Sequence, residues 1–249
     1  MSFRMIALRY FLLISIWLGL GVEVSNAQIP LDQFMPDSDL SARTVQLISL
    51  LTVLSLAPGI AIMITCFPFI VTVLSILRQA IGLQQSPPNM LIVSLSLFLT
   101  FFIMEPVFTT AWLEGLAPFV ESKISVEEAF SSTLQPFRTF MIARIDIETY
   151  DTMIGLRPGS SSLTRPTDAP LSVIIPSFLL SEVSLAFQIG FLVFLPFLII
   201  DLVVAAVLMS MGMMMVPPAI VSLPFKLAFF AIADGWSLVA NALVRGYFN

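Results

Sequence analysis

The sequence predicts an all-α membrane-associated protein, and three of its properties carry that prediction. Hydrophobic residues make up 58% of the 249 residues, and the mean hydropathy is +1.00. Charged residues make up only 11%, whereas soluble domains carry about 25%. Several apolar runs also reach the roughly 20 residues that a helix needs to cross a bilayer. We expect long kinked helices arranged in hairpins, with one polar extracytoplasmic loop that carries an amphipathic helix.

The N-terminus has the pattern of a secretory signal peptide. Arg4 and Arg9 form a basic start, residues 10–20 form a short apolar core, and the Ser-Asn-Ala that ends at Ala27 resembles a cleavage site. An uncleaved first helix is the alternative, although the apolar core is short for a membrane span. We expect cleavage of residues 1–27, which leaves residues 28–249 as one domain with an extracytoplasmic N-terminus.

Two apolar runs follow the polar start of this domain. The first covers residues 45–81 and is interrupted by Pro58-Gly59 and Pro68. Proline removes a backbone donor, so this run is predicted to form either one kinked helix or two helical pieces. A turn rich in proline and glutamine leads into the second run, residues 90–112. This turn contains no acid and follows Arg78, and the positive-inside bias therefore places it in the cytoplasm.

Residues 112–170 form a region of different composition. They hold about half of the charged residues of the chain, and we interpret them as an extracytoplasmic loop region. Ser125 and Glu128 fit a capping box that opens a helix. Apolar residues then recur at helical spacing, which predicts an amphipathic helix with Pro136 inside it; they are Val126, Phe130, Leu134, Phe137 and Met141.

The C-terminal part contains two further apolar runs, which a Met-rich segment and Pro217-Pro218 join into a hairpin. The first, 171–211, is longer than one span, so it must tilt, kink at Pro196, or lie partly in protein. The second, 219–244, is predicted to form a last helix that carries Lys226 and Asp234.

Opposite charges lie at matching depth in this hairpin. Asp201 precedes Met214 by 13 residues and Lys226 follows it by 12, so each lies roughly 18–20 Å from the turn. A charge in an apolar helix requires a partner or a cavity. We expect an ion pair, within one subunit or between subunits. Glu182, near the other end of its helix, completes the candidate buried charge network and is equally compatible with a structural acid at a helix interface.

Five of the seven residues 209–215 are methionine. Methionine is flexible and polarizable, and it specifies packing poorly. One interpretation is that these side chains fill the end of a helix. The other is a soft surface that repacks around changing contents, consistent with a path through a membrane assembly.

Several functional classes are disfavoured. The chain has no histidine and one cysteine, so His-based metal sites, catalytic triads and internal disulfides are excluded. No glycine-rich phosphate loop is present, and we expect neither a cofactor nor enzymatic activity. A pI of about 4.6 argues against nucleic acid as a partner. A small secondary transporter that uses midplane charges remains an alternative function, which the mass of the purified complex would test.

Five segments of the sequence are distinctive enough to compare with known families. They are LRQAIG at 77–82, FLTFFIMEPV at 98–107, IPSFLLSEVSLAFQIGF at 175–191, PFLIIDLVVAAVLMSMGMMMVPP at 196–218 and LPFKLAFFAIADGW at 223–236. These segments resemble one family, the flagellar FliP proteins of the type III secretion export gate. The resemblance extends from residue 50 to the end, and the two C-terminal runs make it specific.

This resemblance implies a core subunit of a protein-conducting export gate. Five copies are expected to form a ring with FliQ and FliR, in the bacterial inner membrane within the flagellar basal body. Unfolded flagellar subunits would pass through this ring. The resemblance assigns the closed constriction, a pore gasket, to Met211, Met213, Met214 and Met215, and the charges within the helices to Glu182, Asp201 and Lys226. It also implies that part of the apolar helices lies above the bilayer.

Overall fold

The computed structural model describes residues 40–83, 87–157, 165–213 and 215–248, and helices are the only regular secondary structure in them. The predicted all-α class is confirmed. The chain divides into two units, Met1–Leu54 and Ser55–Asn249. The predicted signal peptide and Met214 lie outside the described residues, so signal cleavage stays a prediction.

The described residues form α-helices of 4 to 40 residues, together with one π-helical and one 3₁₀ turn. The α-helices are α1 (Leu40–Met63), α2 (Phe67–Ile81), α3 (Asn89–Ala111), α4 (Ala117–Val120), α5 (Val126–Arg144), α6 (Ile147–Gly155), α7 (Leu171–Ser210), α8 (Pro218–Ile232) and α9 (Gly235–Phe248). The π turn covers Trp112–Leu116, and the 3₁₀ turn covers Pro166–Asp168.

The first apolar run forms two helical pieces, α1 and α2, rather than one kinked helix. Pro68 lies in the first turn of α2, where its missing N–H would have no intrahelical partner. At the other end, Gly82 adopts a left-handed conformation with φ of 89°, and its N–H donates to the Gln79 carbonyl. Glycine adopts this conformation without steric cost and therefore ends the helix.

The second apolar run, α3, continues into a π turn before the chain reverses. Gly115 in this turn lies against α5, and a Cβ added to it would lie 2.1 Å from Thr133 Oγ1 and 2.7 Å from the Thr133 backbone nitrogen. Only glycine fits at this crossing, because the nearby backbone cannot rotate away.

The amphipathic helix α5 begins where the capping pattern predicted. The Glu128 N–H donates to Ser125 Oγ at 3.2 Å. Met141 is buried, whereas Val126 and Phe130 are 64% and 68% exposed, so only the C-terminal part of the predicted apolar face packs within this chain. A short helix, α6, follows, which the sequence pattern does not predict.

The last apolar run is broken, contrary to the prediction of one helix. The helices α8 and α9 are bent by 61°. Asp234 between them has φ of 48°, a left-handed conformation that a residue with a Cβ rarely adopts. A Cβ on Gly235 would lie 2.1 Å from the Phe230 ring. The break therefore depends on a close contact between backbone and aromatic ring, which hydrophobic periodicity does not reveal.

Two hydrophobic clusters form the core of the second unit. One centres on α2 and packs it against α3, α7 and α9. The other joins α5 and α6 to the start of α7. Among the described helices, Asn89–Val120 and Leu171–Ser210 are long and apolar enough to cross a membrane, and α8 with α9 gives a third span if the bend lies within it.

Candidate functional site

The described part of the Met-rich segment lies in the turn of a hairpin between α7 and α8, here called the Met turn (residues 211–213 and 215–217). The Met213 N–H donates to the Leu208 carbonyl and the Gly212 N–H to the Met209 carbonyl, both at 3.0 Å. This pattern, with Gly212 left-handed at φ of 77°, is a Schellman helix end. Pro217 and Pro218 then set the start of α8.

The described methionines of this segment are exposed in the single chain. Met211 is 66% exposed, Met213 is 44% exposed and Met215 is 97% exposed. Met214 belongs to the same predicted set but lies outside the described residues. The structure therefore places the described methionines at the surface, where they add nothing to the core of their own chain.

Below the Met turn, the structure brings Asp201 and Lys226 together. Lys226 Nζ lies 2.6 Å from Asp201 Oδ2. The Lys226 side chain is 7% exposed and the Asp201 side chain 33%. The hairpin register explains the contact, because the two residues lie at nearly equal distances along the chain from the turn.

Two further groups complete this arrangement, which we call the Asp201 cluster (Ala80 carbonyl, Asp201, Ser222 and Lys226). The Ser222 hydroxyl donates to Asp201 Oδ1 at 2.5 Å, and Lys226 Nζ donates to the Ala80 carbonyl at 3.1 Å. The sequence alone predicts neither of these two contacts. Ser222 lies four residues before Lys226 and so on the same helix face, a spacing that could have identified it. The Ala80 carbonyl is a backbone group and leaves no signal in sequence.

Glu182 belongs to a different arrangement, which we call the Glu182 cluster (Arg144, Glu182, the Gly246 carbonyl and Tyr247). Arg144 Nε donates to Glu182 Oε1 at 3.0 Å, and the Tyr247 hydroxyl donates to Glu182 Oε2. Arg144 Nη1 also donates to the Gly246 carbonyl at 3.1 Å. The guanidinium lies over the Tyr247 ring, 4.3 Å from its centroid, a cation–π geometry. The predicted set of three charges is thus divided between two clusters on α7.

The Glu182 cluster ties the loop region to the end of the chain. Its base comes from α5, its acid from α7 and its hydroxyl from α9. The Glu182 side chain is only 1% exposed, and a buried charge of this kind is tolerated when paired and hydrogen-bonded. No sequence pattern links residues this far apart, so Arg144 and Tyr247 were not predicted.

Next to Arg144, the chain enters α6 through a polar cap. Asp146 accepts hydrogen bonds from the Thr149 N–H at 3.0 Å and the Thr149 hydroxyl at 2.9 Å. These two bonds lower the pKa of Asp146 below its ordinary value of 3.8. The Asp146 N–H in turn donates to Ser181 Oγ at 3.0 Å, which fixes α6 against α7 beside a cleft of about 790 Å³.

The described residues contain no group of three Cys, Asp or Glu side chains arranged to hold a metal ion. Both clusters are instead internally neutralised pairs, each with one acid and one base. Their chemistry suits holding helices together, whereas the exposed thioethers of the Met turn are available for contacts outside the chain.

Comparisons with known proteins cover the whole hairpin. The sequence model described as the FliP family matches residues 50–243, a range that includes the four methionines, Asp201 and Lys226. The flagellar biosynthetic protein FliP of Caulobacter vibrioides is 50% identical over 211 residues, which cover 84% of this chain and 78% of that protein.

Two further relatives carry the same name. The protein from Agrobacterium fabrum is 40% identical over 243 residues, which cover 96% of this chain and 99% of the relative. The protein from Bacillus subtilis is 45% identical over 214 residues, which cover 85% and 95% of the two chains. This chain is therefore similar to these proteins over nearly their full length.

Proposed function

This chain belongs to the FliP family of flagellar biosynthetic proteins, and we propose that several copies of it form the protein-conducting pore of the flagellar type III export gate. The family itself implies a role in flagellar export, and the apolar helices make the chain a membrane protein of that apparatus. The proposal adds that unfolded flagellar subunits pass along an axis between the copies. In this function the chain acts as a conduit and catalyses no reaction.

One observation carries the proposal: the described methionines of the Met turn are exposed at the end of a hairpin, with Met215 at 97%. A cluster of exposed apolar side chains of this kind marks a site of contact with lipid or protein. Copies arranged around an axis would bring the thioether side chains of several Met turns together. Flexible methionines could then close the axis when it is empty and yield to a chain of any sequence.

A ring of copies is supported by the apolar surface that the single chain leaves uncovered. Several large side chains on α3, α7 and α8 are more than half exposed, among them Phe98, Phe191 and Ile220. Apolar surface of this extent marks contact with lipid or with other proteins. We propose that five copies assemble with FliQ and FliR, the number and partners implied by the resemblance to the family.

The proposed location is the bacterial inner membrane, with several passes and an extracytoplasmic N-terminus. It is supported by the spans of α3 and α7 and by the signal-like start of the chain. N-terminal sequencing of protein purified from membranes should begin at Gln28. Retention of Met1 on most of the material would contradict cleavage.

The pore is tested by replacing Met211, Met213, Met214 and Met215 together with alanine. The variant should assemble, because the described methionines lie outside the core, but the closed complex should leak ions in liposomes. Met90→Ala, at an 84% exposed methionine of α3, is the matched control and should stay tight. An assembled quadruple variant that is as tight as the natural protein would refute the gasket.

The mass of the purified complex tests the ring itself. A multi-subunit assembly with FliQ and FliR is expected in mild detergent. A monomer or small homo-oligomer that transports a solute would instead support a secondary transporter.

A further inference from the structure

The Asp201 cluster joins three helices at the base of the hairpin that carries the Met turn. Asp201 belongs to α7, Ser222 and Lys226 to α8, and the Ala80 carbonyl to the last turn of α2. We infer that Ser222 and the carboxyl end of α2 are positioning elements of the gate, which hold the Met turn in place through Asp201 and Lys226. Only the expected effect on the tightness of the closed pore rests on the proposed function.

Ser222 fixes the orientation of the acid. Its side chain is fully buried, and its hydroxyl is 2.5 Å from Asp201 Oδ1 but 3.3 Å from the Ala219 carbonyl of its own helix. A hydroxyl has one proton to donate, and the shorter bond to a charged acceptor is the stronger one. With Lys226 on Oδ2, both carboxylate oxygens are held, so the Asp201 side chain cannot rotate without losing a bond.

The α2 end fixes the position of the base. The last carbonyls of a helix have no intrahelical donor, and they carry the negative end of the helix dipole. Lys226 Nζ donates to one of them, that of Ala80, at 3.1 Å. The left-handed Gly82 stops α2 at this point, and a Cβ added to it would lie 3.8 Å from Leu223 Cδ1 and 3.9 Å from Lys226 Nζ. The cation therefore binds the hairpin and α2 at once.

Within the single chain, little else among the described residues holds the far end of the hairpin. Between Asp201 and Lys226, Leu208 and Ser222 are the only buried residues that the structure describes. The Met turn thus extends from the cluster with few packing contacts of its own. Loosening the cluster should raise the mobility of the turn, and a shift of the carboxyl end of α2 should be transmitted to it.

The experiment is hydrogen–deuterium exchange by mass spectrometry on the full-length protein, assembled with its partners in detergent. In Ser222→Ala, amides of residues 203–217 and 77–83 should exchange about tenfold faster, because a hydrogen bond to a charged group is lost at the base of the hairpin. Ser96→Ala is the matched control, since Ser96 is equally buried but donates only to the Ile92 carbonyl of its own helix. Unchanged exchange of residues 203–217 in Ser222→Ala would overturn the inference.

A second variant tests the other half of the cluster from the α2 side, without replacing a residue of the hairpin. Gly82→Ala strains the left-handed end of α2 and displaces the Ala80 carbonyl, so residues 203–217 should again exchange faster. Gly59→Ala is its control, because a Cβ there meets nothing within 4 Å. If Ser222→Ala does not assemble, Gly82→Ala decides alone, and unchanged exchange in residues 203–217 would overturn the inference.

Ion flux through the same complexes separates this inference from the proposed function. Faster exchange together with a leak supports both. Faster exchange in a tight complex supports the positioning role and contradicts the gasket. Exchange that stays at the natural rate contradicts the positioning role, whatever the flux.

Discussion

The two charge clusters on α7 are built from the same four kinds of group. Each has an acid from α7, a base and a hydroxyl from other helices, and a backbone carbonyl that accepts from the base. One consists of Glu182, Arg144, Tyr247 and the Gly246 carbonyl, and the other of Asp201, Lys226, Ser222 and the Ala80 carbonyl. The same solution for a charge in an apolar helix thus occurs twice on one element.

Burial distinguishes the clusters. In the first, the Glu182 side chain is 1% exposed and that of Arg144 is 22% exposed. In the second, the base is the more buried member, with Lys226 at 7% and Asp201 at 33%. Removing the partner of a buried charge costs more than removing the buried charge itself. The sensitive member should therefore be the base in one cluster and the acid in the other.

The largest effect is expected for Arg144→Ala, which leaves the buried Glu182 carboxylate without its cation. The loss should be on the order of 3–5 kcal/mol, and Glu182→Ala should cost clearly less. Unfolding of the purified protein in detergent measures both. Lys123→Ala is the control, since Lys123 and its partner Glu121 are 69% and 57% exposed and such a pair contributes about 0–1 kcal/mol. Equal losses of unfolding free energy for Arg144→Ala and Glu182→Ala would contradict the expectation that the less buried partner is the more sensitive one.

The second effect concerns the reversed order in the Asp201 cluster. Asp201→Ala should destabilise the protein more than Lys226→Ala, because it strands the more buried charge. The double change should cost less than the sum, with an interaction energy of about 2–3 kcal/mol. The same double-mutant cycle can be measured by comparing the fraction of assembled complex in each variant. Additive losses would mean that the two residues do not interact.

A smaller effect is expected when the hydroxyl of the Glu182 cluster is removed. Tyr247→Phe keeps the ring beneath Arg144 but loses the hydrogen bond to Glu182, at a cost of about 1.5–3 kcal/mol. Tyr150→Phe is a close control, because the buried Tyr150 hydroxyl has no partner among the described residues. Thermal unfolding in detergent should separate the two variants, and equal shifts would show that the Tyr247 hydroxyl does not stabilise Glu182.

The smallest effect lies just outside the Glu182 cluster, at the Asp146 cap. Folding lowers the pKa of Asp146 below 3.8, so the charged cap stabilises the protein above that pH. This stabilisation is lost as the pH falls through the lowered folded-state pKa. Asp146→Asn should flatten this part of the dependence of thermal unfolding on pH. An unchanged profile would show that the cap does not contribute.

Local sequence patterns predicted the features whose partners lie close along the chain. The Ser125 cap needs only a residue three positions away, and the hairpin register placed Asp201 opposite Lys226. The Glu182 cluster instead joins residues 38 and 65 positions away from the acid. Such a contact depends on how three helices pack, which one sequence does not specify.

The prediction of one continuous last helix is wrong for a related reason. Hydrophobic periodicity passes smoothly through Ala233 and Asp234, whereas the bend follows from a left-handed Asp234 and the contact of Gly235 with the Phe230 ring. Hydrophobic periodicity also does not show whether a predicted apolar face is covered by other helices. Val126 and Phe130 fit an apolar face, but this face extends beyond the helices that could cover it.

The π turn at Trp112–Leu116 has a consequence for which changes of chain length the protein can accept. A π turn accommodates about one residue more than an α turn, and each residue rotates a helix by about 100°. Deleting one residue within 112–116 could restore regular α geometry while leaving both flanking helices in phase with their neighbours. Deletion of one residue within the buried part of α2 would rotate every later side chain of that helix away from its contacts. Tolerance to single deletions should therefore be concentrated at this turn, with Gly115 as the position that must be kept.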